Sequence, residues 1–274
     1  MSKCTVVLSR APDGRRERRR FEDAVAGVLQ ANGCAVLVVP HIYYLTDSHP
    51  ATVRLAQLPG DTVVAAWLHP RATHWTLKAL GMSEERALHC FDLGAFESVD
   101  ACVAGLRRAS GAGAAGDGCV EELAGPAPER WYPVVDYARC AACRQCLDFC
   151  LFGVYSVEGG RVVASRPEGC RPGCPACARV CPNAAIMFPH YADDPAIAGA
   201  PGADISGGTV DVEAFFRAAG KGEPCPECAR GCDCEELSPV PTRPIASAEC
   251  ARACDCEERD DLDDLIDELD KLDE

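Results

Sequence analysis

The residues best able to do chemistry in this chain are cysteines, and their spacing is regular. One run reads Cys140-x2-Cys143-x2-Cys146-x3-Cys150, and a second reads Cys170-x3-Cys174-x2-Cys177-x3-Cys181-Pro182. A cube of four irons and four sulfides needs four thiolates at tetrahedral corners. Two-residue gaps let successive turns of backbone wrap one cube, so each run supplies three sulfurs and its fourth must come from elsewhere in the fold. Structural zinc is the competing use of such thiols, but zinc sites usually pair two short Cys knuckles. The chemistry these runs point to is one-electron transfer.

Seven more cysteines lie downstream. Glu227-Cys-Ala-Arg-Gly-Cys-Asp-Cys-Glu-Glu236 recurs 22 residues later as Glu249-Cys-Ala-Arg-Ala-Cys-Asp-Cys-Glu-Glu258. With the Cys225-Pro-Glu-Cys228 knuckle, the thiols Cys225, Cys228, Cys232, Cys234, Cys250, Cys254 and Cys256 read as a metal site, with zinc favoured. The remaining five cysteines lie singly before residue 120.

The stretch Cys174-Pro-Ala-Cys-Ala-Arg-Val-Cys-Pro-Asn-Ala-Ala-Ile-Met-Phe188 closely resembles the second half of the bacterial two-cluster ferredoxins, and the likeness covers about residues 131–191. The resemblance implies two [4Fe–4S] clusters in a small α+β domain. It also implies crossed ligation, with Cys140, Cys143, Cys146 and Cys181 on one cluster and Cys170, Cys174, Cys177 and Cys150 on the other. Two departures stand out: Leu151 occupies the place of the usual proline, and the gap from Cys170 to Cys174 is one residue longer than usual. The extra residue falls in Arg171-Pro172-Gly173, a natural turn.

The surrounding elements suit that domain. Tyr132–Val135 reads as a first strand and Ala185–Phe188 as a closing one. Val154–Val157 and Arg161–Ala164 flank Glu158-Gly159-Gly160, a strong hairpin signal. Short helices are expected to follow Cys146 and Cys177.

Residues 1–110 have a different grammar. Thr5–Leu8, Ala35–Val39, Thr62–Trp67 and Ala87–Leu93 read as strands. Helices are expected at Arg16–Ala31, with Phe21, Val25, Val28 and Leu29 on one face, at Thr73–Leu80 and at Ser98–Arg108. Such alternation predicts an α/β domain with a parallel sheet and flanking helices. Val39-Pro40-His41 and Trp67-Leu68-His69-Pro70-Arg71 fall at the ends of two of its strands, where open α/β sheets bind ligands. His41, His49, His69 and Arg71, with His74 and Tyr43 nearby, are therefore a candidate ligand site. The stretch VLVVPHIYYLTDSHP also resembles class II tetrapyrrole chelatases, with His49 at the metal-handling position, although Ser9 stands where that family has its other histidine.

The expected order is thus an α/β domain (1–110), a Gly/Ala/Pro-rich linker (111–130), the two-cluster domain (131–191) and a loose connection (192–224). A Cys-rich, partly irregular repeat (225–258) and an acidic amphipathic helix (259–274) follow. In that helix Leu262, Leu265, Ile266, Leu269 and Leu272 form the apolar stripe.

The net charge of −15 opposes nucleic acid as a partner and suits docking onto a basic redox-partner protein. With no apolar leader, no membrane-spanning stretch and many thiols, a cytoplasmic protein is expected. Electron transfer, as a carrier or as the electron-input subunit of a larger system, is the leading function. The alternatives are a metal-handling or chelatase-like enzyme acting through the N-terminal domain, and a redox-sensing assembly protein.

Overall fold

The computed structural model describes residues 5–83, 85–111 and 118–202, which lie within one compact unit, Met1–Gly220. The distal cysteines Cys225, Cys228, Cys232, Cys234, Cys250, Cys254 and Cys256, the acidic amphipathic helix and most of the 192–224 connection lie outside the described residues.

The chain opens with strand β1 (Thr5–Ser9), helix α1 (Arg16–Ala31) and strand β2 (Ala35–Val39), which fall where apolar periodicity requires. Helix α1 buries Val25, Ala26 and Leu29 and is closed by paired turn bonds, Gly33 N–H to Gln30 O at 2.9 Å and Cys34 N–H to Leu29 O at 3.0 Å. Then come α2 (Pro50–Ala56), β3 (Thr62–Ala66), α3 (Pro70–Ala79), β4 (Leu88–Asp92) and α4 (Val99–Ala109). Helix α3 begins three residues before the apolar pattern does, because Pro70 suits the first helical position.

A fifth strand, β5 (Val120–Glu122), arises within the stretch that reads as a linker. The sheet has the order β4-β3-β1-β2-β5, and all its pairings are parallel. Alternate residues serve opposite faces. Val6, Leu8, Val36, Val38, Val63 and Ala65 pack with residues of α1 and α4. Val7, Leu37, Val39, Val64 and Ala66 pack with residues of α2 and α3, and with Tyr132, Val134 and Met187 from the cysteine-bearing segment.

That segment contains β6 (Val134–Val135), α5 (Gln145–Phe149), β7 (Ser156–Glu158), β8 (Arg161–Val163), α6 (Ala176–Arg179), β9 (Ile186–Met187) and α7 (Pro195–Ala198). Strands β6 and β9 pair antiparallel, and β7 with β8 form the expected hairpin. Helix α5 starts one residue before Cys146 rather than after it. Three ties hold the segment to the α/β layer. Tyr43 and Tyr132 stack at 4.4 Å, and the Tyr43 hydroxyl both donates to Tyr132 O (2.5 Å) and accepts from Tyr132 N–H (2.8 Å). Arg71 donates to Asp136 Oδ2 at 2.5 Å and to Ala184 O at 2.6 Å. Gly199 lies so close to Ala72 and Met187 that an added Cβ would sit 3.0 Å from each. Among the described residues no helix is long and apolar enough to cross a membrane.

Candidate metal centre

The eight central cysteines divide between two pockets. Cys140, Cys143, Cys146 and Cys181 line one of about 380 Å³, together with the apolar side chains of Val135, Val162 and Ile186. Cys150, Cys170, Cys174 and Cys177 line a larger one of about 1050 Å³, with Phe149, Val154 and Tyr155. In each pocket three sulfurs come from one run and one from the other. The mixing is built by α5 and α6, which pack against each other and carry Cys146 and Cys177.

The backbone bends sharply to make the first pocket. Ala142, Arg144 and Ala184 all have positive φ (54°, 65° and 47°), and all lie in its cysteine loops. Non-glycine residues take this conformation uncommonly and at a cost in strain, so the surroundings must hold these loops in place. One consequence is a backbone donor aimed at sulfur: Ala185 N–H to Cys181 Sγ at 3.3 Å. In the second run the extra residue is absorbed by a turn, in which Cys174 N–H bonds Arg171 O at 3.1 Å and Gly173 takes φ 76° behind Pro172. Leu151, in the place of the usual proline, is 94% exposed.

The electrostatics fit a cationic guest. Burial pushes the Cys146 thiol up to about 12, and Cys181, Cys140 and Cys143 reinforce the shift. Burial pushes Cys170 up to about 12 as well, reinforced by Cys174 and Cys150. Cys177 is also raised by burial, with Cys170 and Cys150 adding to it. Four thiolates cannot share such a pocket without positive charge between them, and iron, if bound there, would displace the protons outright.

Tyr155 stands between the two groups. Its hydroxyl is buried, has no hydrogen-bond partner among the described residues, and lies near enough to Cys177 to favour that thiolate, with Cys146 and Cys150 also in electrostatic reach. If a cluster occupies the second pocket, Tyr155→Phe should shift one of two midpoint potentials downward by about 40 mV. That is one hydrogen bond of about 1 kcal/mol on a one-electron couple. An electron paramagnetic resonance redox titration with both midpoints unmoved would count against this role.

The histidines and Arg71 fare differently. Arg71 is committed to Asp136, and so is a tie between layers rather than an open ligand group. His49 caps α2, its Nδ1 accepting from Ala51 N–H at 3.0 Å, and its buried Nε2 has no hydrogen-bond partner among the described residues. His69 precedes α3 with Nδ1 3.7 Å from Asp92 Oδ2. His74 packs edge-on against Trp75. His41 meets another imidazole: its Nε2 lies 2.9 Å from Nε2 of His190, a residue sequence reasoning did not single out.

Burial, with His190 adding to it, lowers His41 to about 4 from the ordinary 6.5. A base depressed on folding contributes stability above 6.5, and that stability is lost as pH falls toward 4. The acid limb of a thermal-stability profile should therefore be steeper for wild type than for His41→Gln over that window. Parallel limbs would refute it.

No protein-family model matches the chain. Over 60 residues, 22% of its length, it is 48% identical to an uncharacterized ferredoxin of Methanocaldococcus jannaschii and spans 41% of that protein. Over 54 residues, 19% of its length, it is 39% identical to a second uncharacterized ferredoxin of the same organism and spans 86% of it. The chain thus covers less than half of the first relative and most of the second. Through this iron–sulfur segment, the chain belongs to the ferredoxins.

Proposed function

We propose that the chain is an electron-transfer protein with two [4Fe–4S] clusters. Cys140, Cys143, Cys146 and Cys181 would hold one, and Cys170, Cys174, Cys177 and Cys150 the other. The single observation that carries this reading is the division of the eight sulfurs into two pockets, each a mixture of both runs. When bound, such clusters supply one-electron chemistry at potentials set by charge, hydrogen bonding and burial.

The chain's own residues set those terms. Val135, Val162 and Ile186 give the first pocket an apolar inner wall, and the Ala185 N–H donates to its Cys181 sulfur. The second pocket is wider and lies beside the exposed Leu151 and Phe152, an apolar surface that a partner could cover. The excess of acid favours a basic partner surface. The thiol content suits the cytoplasm, and the distal cysteines, from Cys225 to Cys256, suit zinc.

Metal and sulfide analysis of protein purified without oxygen tests the reading. It requires about eight irons and eight sulfides per chain, and zinc beyond that would be assigned to the distal cysteines. Colourless, iron-free protein would overturn it.

A further inference from the structure

Outside the cysteine pockets, two imidazole nitrogens from separate elements of the described residues face each other directly. His41 follows Pro40 at the carboxyl end of β2, and His190 follows Pro189 in the turn beyond β9. Their Nε2 atoms face each other at 2.9 Å. The second nitrogen of each ring is already engaged, His41 Nδ1 with the Arg10 carbonyl oxygen at 3.0 Å and His190 Nδ1 with the Tyr44 hydroxyl at 3.2 Å.

These partners constrain the protons. A carbonyl oxygen only accepts, so His41 carries its proton on Nδ1 and presents a bare lone pair at Nε2. A hydroxyl both donates and accepts, so His190 can carry its proton on either nitrogen. With the proton on Nε2, the pair is a hydrogen bond between the two elements. With it on Nδ1, Tyr44 accepts it and both Nε2 lone pairs meet at one point. The exchange passes one proton from Nε2 to solvent, returns one from solvent to Nδ1 and turns the Tyr44 hydroxyl from donor to acceptor, with no movement of either ring.

We propose that His41 and His190 form a two-histidine site for a divalent transition-metal ion, held through the two Nε2 atoms. Ligating histidines characteristically donate their other N–H to a backbone carbonyl or a comparable acceptor, which fixes tautomer and ring orientation, and both rings here have such a partner. Two nitrogens about 2.1 Å from one ion are about 3.0 Å apart at a right angle and about 3.4 Å apart at the tetrahedral angle. The separation found, 2.9 Å, matches the right angle, so ions that take square or octahedral geometry fit best, nickel(II) among them.

Among the described residues no third His, Cys, Asp or Glu completes a ligand group, which leaves the remaining positions to water or a small ligand. Asp13 acts electrostatically on His41 and Glu129 on His190 in the sense that offsets a cation, while Arg18 opposes them. His41 is buried and His190 half-buried, so access is from the His190 side. Tyr43 and Tyr44 pack edge-on against the His190 ring at 5.1 and 5.2 Å and hold its plane. The site lies at the carboxyl end of the parallel sheet, the usual place for a ligand in such folds. It exists only because the cysteine-bearing segment brings His190 there.

Nickel(II) is the probe. Full-length, cluster-loaded protein equilibrated with nickel and freed of excess should retain one nickel per chain more than His190→Phe. That variant keeps a ring against Tyr43 and Tyr44 but has no ligating nitrogen. Whatever the distal thiols bind is common to both proteins and cancels. The difference in nickel-edge X-ray absorption should carry the signature of two imidazoles. Unchanged cluster absorbance shows that the variant is folded, and His190→Gln, read the same way, replaces it if the phenyl ring disturbs the turn. Equal nickel in wild type and variants, or a difference spectrum without imidazole, would overturn the site and leave the pair a hydrogen bond.

Discussion

Cys181→Ala is expected to remove about four of about eight irons per chain, and the cluster lost should be that of the first cysteine run rather than of the run in which Cys181 lies. Its sulfur lines the pocket of Cys140, Cys143 and Cys146, and it is the leading charge partner of Cys146. Cys150→Ala should do the reverse and strip the second run, because Cys150 lines the pocket of Cys170, Cys174 and Cys177. Iron analysis gives the amount, and paramagnetic resonance of the reduced protein shows which cluster survives. If Cys181→Ala kept a cluster on Cys140, Cys143 and Cys146 and lost the other, the crossed assignment would be wrong.

The second large effect is at Arg71. Its guanidinium and the Asp136 carboxylate are 12% and 5% exposed, and the carboxylate also accepts from Ala138 N–H at 2.9 Å. Arg71→Ala would leave a buried charge without its near partner, since Arg139, at 3.8 Å, is the only other cation paired with Asp136 among the described residues. Breaking a buried pair from one side costs about 3–5 kcal/mol. In a unit of this size that lowers the melting temperature by about 10 °C. Replacing both partners, as Arg71→Met with Asp136→Leu, should recover most of the loss, because no charge is then stranded. A single variant that melts within about 2 °C of wild type would show that water reaches Asp136.

Much of this architecture is legible in local pattern. Helix α1 and strand β2 coincide with the apolar periodicity because each is long or uniform enough to declare its period. Helix α2 does not declare itself: seven residues starting at Pro50 are too few for a helical period, and the capping use of His49 Nδ1 leaves no local signal. Strand β5 is Val-Glu-Glu, with no strand signature at all, and exists because β2 offers it a pairing edge. The meeting of His41 and His190 spans 149 positions. No local rule reaches that far. The cysteines were legible for the opposite reason, since thiolate spacing is fixed by what a short loop can wrap.

The placement of β5 bears on how the molecule can be divided. After α4 the chain returns to the far side of the sheet, beyond β2, and only then enters the cysteine-bearing segment. A fragment ending near residue 110 would leave Ala-Val-Leu-Val-Val with a bare row of amides and carbonyls along one margin, a template for intermolecular pairing. The Gly- and Ala-rich stretch is therefore a poor place to cut, and a fragment that stays dispersed should extend at least through Glu122.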